Sequence, residues 1–212
     1  MVYAVRMMMA GLRERKKEQT RRRIAEVALR LFDERGYDAV TVNEVAEAAG
    51  VAKVTLFAYF PSKDSLVLDG VKEDTAAIVA GRGDRPPLQA LREHYRLMGR
   101  QDQGEMDVAG LLTRIRVISS SPALLAGVQQ AHMSQREELA CALAEALPER
   151  GLAPRLMAAQ ITAAVTTLQE AFFHRLATGV PLEEAGRLLG DEVELAFDLL
   201  EYGFSMLKGE IS

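Results

Sequence analysis

TVNEVAEAAGVAKVTLFAYFPSKDSL, residues 41–66, reads as two short helices joined by a tight turn. Thr41 and Glu44 stand at the Thr-x-x-Glu spacing of a capping box, in which each side chain satisfies the other residue's backbone N–H. Val45, Ala46 and Ala49 supply the apolar side of the first helix. Gly50 stops it, because the turn that follows wants a residue at ease with positive φ. The second helix starts near Ala52 and carries Leu56 and Phe60 on one face. Pro61 closes it, and Ser62 is placed to cap a third helix. A helix, a short glycine-bearing turn and a second short helix form the helix-turn-helix pattern.

Upstream, Ile24, Val27, Ala28, Leu31 and Phe32 recur at i, i+3, i+4, i+7 and i+8, the period of a helix that buries one stripe. A helix is predicted over 20–35, with Thr20 as its N-cap and Gly36 as its stop. Residues 1–19 read as a basic arm, flexible at first and then helical. Arg13, Arg15, Lys16, Lys17 and Arg21 to Arg23 form a basic run without interleaved aromatics, the composition of an arm that neutralises phosphates without reading sequence.

Downstream, a long helix is expected over 62–80, with Leu66, Val67, Val71, Ala77 and Ile78 inward. GRGDRPP, residues 81–87, is the clearest break in the chain. Its Arg-Gly-Asp is read as a loop, since three residues arise easily by chance. Further helices are expected over 88–101, 105–119, 122–147, 156–178 and 182–207. Gly104 precedes the second of these. The last carries a stripe of Ala185, Leu188, Leu189, Glu192, Val193, Ala196, Leu199, Leu200, Gly203 and Phe204.

Among 212 residues, 49% are hydrophobic, enough to bury a real core. The single cysteine, Cys141, rules out an internal disulfide framework and a multi-cysteine zinc site, and fits a reducing cytoplasm. It reads as an inert core or semi-core residue. The most apolar run, Leu156 to Phe173, is interrupted by Gln160, Gln169 and Glu170, so it reads as a central bundle helix and not a membrane span. The N-terminus lacks the long apolar core of a secretory signal, and Met7, Met8 and Met9 leave the start codon open. His94, His132 and His174 lack metal-ligand spacing. No phosphate-binding glycine loop or nucleophile elbow is found, so no catalytic residue, metal or cofactor is expected.

The net charge of −4 is unevenly spread: residues 1–23 hold 8 Lys/Arg against 2 Asp/Glu, and residues 67–212 hold 14 against 21. A basic head on an acidic body points to a polyanion at one end, although a solvated tail explains the arm equally well.

TRRRIAEVALRLFDERGYDAV followed by TVNEVAEAAGVAKVTLFAYFPSKDSL resembles the tetracycline-repressor (TetR) family of bacterial transcription regulators, over residues 13–68. The resemblance rests on the basic lead-in, Leu-Phe-x-x-x-Gly-aromatic, Thr-Val-x-x-Val-Ala, and Gly-Val-x-x-x-Thr-Leu-aromatic-x-aromatic-Phe-x-x-Lys-x-x-Leu. It implies an all-α homodimer with a three-helix head that binds double-stranded operator DNA and a body of about six helices for ligand and dimer contacts. The implied division is an arm over 1–19, a helix-turn-helix domain over 20–65 and a ligand-binding and dimerisation domain over 66–212. The implied function is a cytoplasmic repressor, nucleoid-associated when bound, released by a small-molecule effector. Control by a protein partner and activation are the alternatives, with a helical enzyme or adaptor as remote ones.

Lys53 leads the second helix of the motif and is the first candidate for base readout, since lysine donates to guanine O6/N7; a phosphate contact is the plainer reading. Thr55, Tyr59, Lys63, Asn43 and Thr41 match family positions that touch DNA, with capping alone also explaining Thr41. Phe57 departs from the family's tyrosine and Ala52 from its serine or threonine, which shifts expected anchoring toward Tyr59, Lys63 and Arg21, Arg22 and Arg23. In the body, pocket candidates are His94, Tyr95, Met98, Leu112, Arg116, His132, Gln135, Thr166, Gln169 and Phe173, each alone also explicable as core or surface. Arg114 and Arg116 suit an anionic ligand or an ordinary salt bridge. The last two helices are expected to form a four-helix interface with their mates through Ala163, Ala164, Leu168, Ala171, Phe172, Val193, Ala196, Leu199 and Leu200.

Overall fold

A computed structural model describes residues 2–69, 74–100, 107–147 and 151–202, with the side chains of 2–14 and 99–100 excepted. These residues form ten helices and no strand: α1 (Val2–Arg35), α2 (Val42–Ala48), α3 (Lys53–Tyr59), α4 (Ser65–Leu68), α5 (Thr75–Ala80), α6 (Pro87–Arg100), α7 (Val108–Ser119), α8 (Pro122–Ala146), α9 (Ala153–Ala177) and α10 (Leu182–Tyr202). The protein is all-helical, as its sequence predicts. Val71, Gly104, Gly203 and Phe204 lie outside the described residues, as does the side chain of Arg13.

Two compact units divide the chain: Met1–Val71 with Ala109–Val128, and Lys72–Val108 with Gln129–Ser212. In the first, α1 buries Ile24, Ala28 and Phe32 against Val45, Leu56, Phe60 and Leu66. Val117 and Leu124 join the same core, so the head's interior is completed by residues far from it in sequence.

The predicted cap at Thr20 is not a helix start. Helix α1 runs through it, and the Thr20 hydroxyl donates back to the Lys16 carbonyl at 2.9 Å. A threonine satisfied within its own helix leaves nothing to cap. At the other end Gly36 adopts φ 85° and its N–H closes on the Phe32 carbonyl at 2.9 Å.

The turn between α2 and α3 is a Schellman closure. Gly50 sits at φ 64°, with Gly50 N–H on the Glu47 carbonyl and Val51 N–H on the Ala46 carbonyl. A side chain at this φ is strained whatever space surrounds it, which is why glycine stands there.

The long helix expected over 62–80 is not formed as one piece. Helix α4 ends at Asp69, which turns to φ −64°, ψ 127°. A separate helix starts after Asp74, whose carboxylate accepts from Ala77 N–H at 2.9 Å. Asp69 leaves the helical ψ and Asp74 is a strong N-cap, and these local features override the apolar period. Ser62 does help start α4: Ser65 N–H donates to its hydroxyl at 3.4 Å, and the Ser65 hydroxyl donates to its carbonyl at 2.7 Å.

In the second unit α9 buries Ala158, Ile161, Val165, Leu168, Phe172 and Leu176 at spacings of three or four residues. The first four pack with Leu91 and Tyr95 of α6, Leu139 and Leu143 of α8, and Val193 and Phe197 of α10. Phe197, absent from the predicted stripe of the last helix, is fully buried, whereas Leu199 is exposed. Helix α10 has two apolar sides, and periodicity alone does not say which one the subunit covers. Arg92 of α6 reaches Asp198 and Glu201 of α10, and Arg96 pairs with Glu194 at 2.6 Å.

Candidate nucleic-acid interface

The head turns one side of α3 inward and leaves the other bare. Leu56 and Phe60 are buried, while Lys53, Val54, Thr55 and Phe57 are exposed. The start of α3 has no side-chain cap, because Ala52 offers none. The Lys53 ammonium lies 5.9 Å from the centre of the Phe57 ring, one helical turn on. That cation–π contact orients the lysine along the exposed side of the helix.

Thr41 is committed to its own helix. Its hydroxyl accepts from Glu44 N–H at 3.3 Å and donates to the Glu44 carboxylate at 2.8 Å, which also accepts the Thr41 N–H at 2.8 Å. Arg35 adds a contact at 2.6 Å. The Thr41 N–H first, then Arg35 and the Thr41 hydroxyl, pull the Glu44 carboxyl down to about 2. Asn43, beside this box, is exposed, and Tyr59 is half-buried against the head core.

The basic residues divide into outward and inward groups. Arg22 and Arg23 are exposed and border a shallow depression with Lys16, Gln19 and Glu26. Arg21 instead pairs with Asp69 and lies 5.3 Å over the Phe60 ring. Lys63, expected to anchor the DNA backbone, points into the head. Its ammonium donates to the Tyr37 carbonyl at 2.6 Å and sits 4.1 Å from the Tyr37 ring centre and 5.7 Å from that of Phe32. Burial lowers its pKa. The lysine thus ties the α1–α2 turn to the segment after α3.

Of the pocket candidates, His132, Gln135, Thr166 and Gln169 converge. With Thr75, Thr162 and Val165 they line a cavity of about 20 Å³ between α5, α8 and α9. Thr75 and Thr162 were not foreseen. The signal for Thr162 lay in its spacing, four and seven residues before Thr166 and Gln169 on one side of a helix. The other candidates lie elsewhere. Tyr95 is core beside Phe197, His94 meets its edge at 5.3 Å, and Met98 is exposed. Phe173 is half-buried next to Phe172, and Leu112 is half-buried in α7. Arg116 belongs to the first unit and makes a forked pair with Asp33, at 3.0 and 2.9 Å. Arg114 donates to the Asp69 carbonyl at 3.4 Å, so the salt-bridge and structural readings fit these arginines.

Between α9 and α10 runs an apolar groove of about 550 Å³. Ala163, Ala164, Thr167 and Ala171 line it on α9, and Leu195, Ala196, Leu199 and Leu200 on α10. Leu195 is 60% exposed and Leu199 45%. Leu168 lines the groove but, like Phe172 and Val193, is buried in its own subunit. Phe172 and Val193, also expected at the intersubunit contact, are core residues that do not line the groove. Leu195 and Thr167 were missed, because a polar or flanking residue at a groove edge does not disturb the apolar period.

Comparison with known proteins agrees with this geometry. Residues 24–69 match the family described as bacterial regulatory proteins, tetR family, and residues 85–204 match the MftR C-terminal domain. The HTH-type transcriptional regulator TcmR of Streptomyces glaucescens is 34% identical over 148 residues, covering 66% of this chain and 64% of that protein. RutR of Escherichia coli K12 is 34% identical over 91 residues, covering 41% and 43%. The chain therefore matches between 43% and 64% of the length of these two relatives. In fold it is similar to NalD, the secondary repressor of the MexAB-OprM efflux pump in Pseudomonas aeruginosa, with a TM-score of 0.56 at 17% identity over 88% of this chain and 97% of that one. It is also similar to SmeT in its triclosan complex, with a TM-score of 0.51 at 18% identity over 84% and 91%. With its helix-turn-helix head and its C-terminal helical domain both matched, the chain belongs to the TetR family of bacterial transcriptional regulators.

Proposed function

We propose that this regulator is a homodimeric repressor that leaves its operator when a small molecule binds its C-terminal body. The observation that carries the DNA-binding half is the bare outer side of α3. Lys53, Val54 and Thr55 occupy its first turn, where a recognition helix meets base edges in the major groove. Lys53 donates to a base edge, and the exposed Arg22 and Arg23 supply phosphate contacts. We assign the head to 20–65 and the ligand-binding and dimerisation body to 66–212, with 109–128 packed into the head's compact unit.

The α9–α10 groove supports the dimer. A continuous apolar groove of this kind on a helical surface marks an interaction site, and a second copy offers the matching leucines and alanines. Two heads read half-sites about one helical turn apart, ~34 Å, so a change in their spacing releases DNA. The cluster of His132, Gln135, Thr166 and Gln169 supports the effector site. It is a set of convergent polar groups around a cavity of about 20 Å³, room for no more than a water molecule, so an effector must widen it; a fold neighbour has been solved with triclosan.

Fluorescence anisotropy with DNA from upstream of the gene tests this reading. Binding should survive nonspecific competitor and fall steeply with salt. A protein that binds no duplex at low salt is not this regulator.

A further inference from the structure

Val54 is 82% exposed, more than any other large hydrophobic residue among the described side chains. It stands in the first turn of α3. Phe57, 40% exposed, and Ala58 follow at i+3 and i+4, so the three form one apolar stripe opposite the buried Leu56 and Phe60. A β-branched residue in a helix gives up rotamer freedom, and these methyls gain nothing from water. The stripe is flanked by a cation, since the Lys53 ammonium lies over the Phe57 ring. An apolar strip edged by positive charge matches a polyanion that displays an apolar group. In the duplex major groove that group is the C5 methyl of thymine, absent from the other bases.

We propose that Val54 is a specificity-determining residue that packs on a thymine C5 methyl in each half-site. The proposal rests on the DNA-binding reading above. It adds that the recognised sequence carries a 5-methylpyrimidine beside the base that Lys53 reaches. Hydrogen bonding then reads one position and apolar contact the next.

The test uses duplexes selected from a randomised library by the full-length protein, resynthesised with deoxyuridine for thymidine. This deletes the methyls and keeps every hydrogen-bonding edge. The wild type should lose roughly four-fold in affinity for each methyl contacted. Val54→Ala, at an exposed site where alanine favours the helix, keeps the fold. It should bind the thymine duplex more weakly and show a smaller thymine-to-uracil ratio, which isolates the contact as a double-mutant cycle does. Equal affinity of the wild type for both duplexes overturns the proposal and leaves DNA binding standing, as expected if the stripe serves a protein partner. A ratio unchanged in Val54→Ala overturns it in the same way. Failure to select any duplex removes the DNA-binding reading, and the proposal with it.

Discussion

In the head, apolar side chains are inside except for the α3 strip of Val54, Phe57 and Ala58, charged ones are mostly outside, and most inward-turned cations have named partners. Lys63 meets a carbonyl and two rings, and Arg21 meets Asp69 and Phe60. The second unit differs in both respects. Polar groups, with Val165, line a small cavity between α5, α8 and α9, while α9 and α10 show an apolar groove to solvent. Apolar surface left in water is unfavourable, and a groove of this kind marks an interaction site. The first unit closes its core with Val117 and Leu124 and leaves the α3 strip bare. The second unit has an apolar groove that would gain free energy if something covered it.

That contrast is open to direct attack. Leu199→Arg places an unpartnered charge in the groove. If a second copy fills it, the dimer should weaken by roughly 3–5 kcal/mol, more than a hundred-fold, and operator affinity should fall with it. Sedimentation velocity at micromolar protein reads this, and an unchanged dimer would remove the groove from the interface. In the head, Lys63→Met keeps the stem and deletes the ammonium. Loss of its cation–π and charged hydrogen-bond contacts should cost roughly 1–3 kcal/mol of stability. The salt slope of DNA binding should stay where it was, because no phosphate contact is lost. A slope lowered by about 0.9 would return Lys63 to the DNA backbone.

Thr41→Ala should cost about 1 kcal/mol, the usual worth of an N-cap. It should also let the Glu44 carboxyl climb part of the way from about 2 toward its ordinary 4.5. The rise is partial because the backbone N–H at position 41 remains. Since the folded pKa is depressed, the stability Glu44 contributes is fully present above 4.5 and is lost as pH falls toward and through about 2. Titration of Glu44 by NMR in both proteins reads the shift, and an identical curve would deny the hydroxyl its part. The smallest effect is expected in the polar cavity. Thr166→Val exchanges a hydroxyl for a methyl at constant shape, and should leave the melting temperature unchanged or slightly raised. A fall of several degrees would mean that the hydroxyl holds the fold together and is not kept for a ligand.

Much of the head was legible because its signals are local. The capping box needs only Thr41 and Glu44, and the turn needs only Gly50. What escaped were conflicts between local signals, such as Asp69 and Asp74 breaking a helix that the apolar period continued. The direction of a long side chain escaped too. Lys63 has the right type and position for a phosphate contact, and nothing in a linear sequence says that Tyr37 and Phe32 hold it. Arg116 is a similar case, since Asp33 lies far from it in the chain.

The amino-acid sequence by itself determined that this protein is all-helical, where its motif starts and turns, and which family it resembles. Those properties follow from backbone propensity, capping and period, all set within a few residues. Tertiary structure alone decided which side of α10 is core and which is groove, and which four of the pocket candidates meet. It also decided that Val54 is left bare while Lys63 and Arg21 are taken in. These depend on burial and on partners distant in the chain, and an amphipathic period records that a side is apolar without recording what covers it.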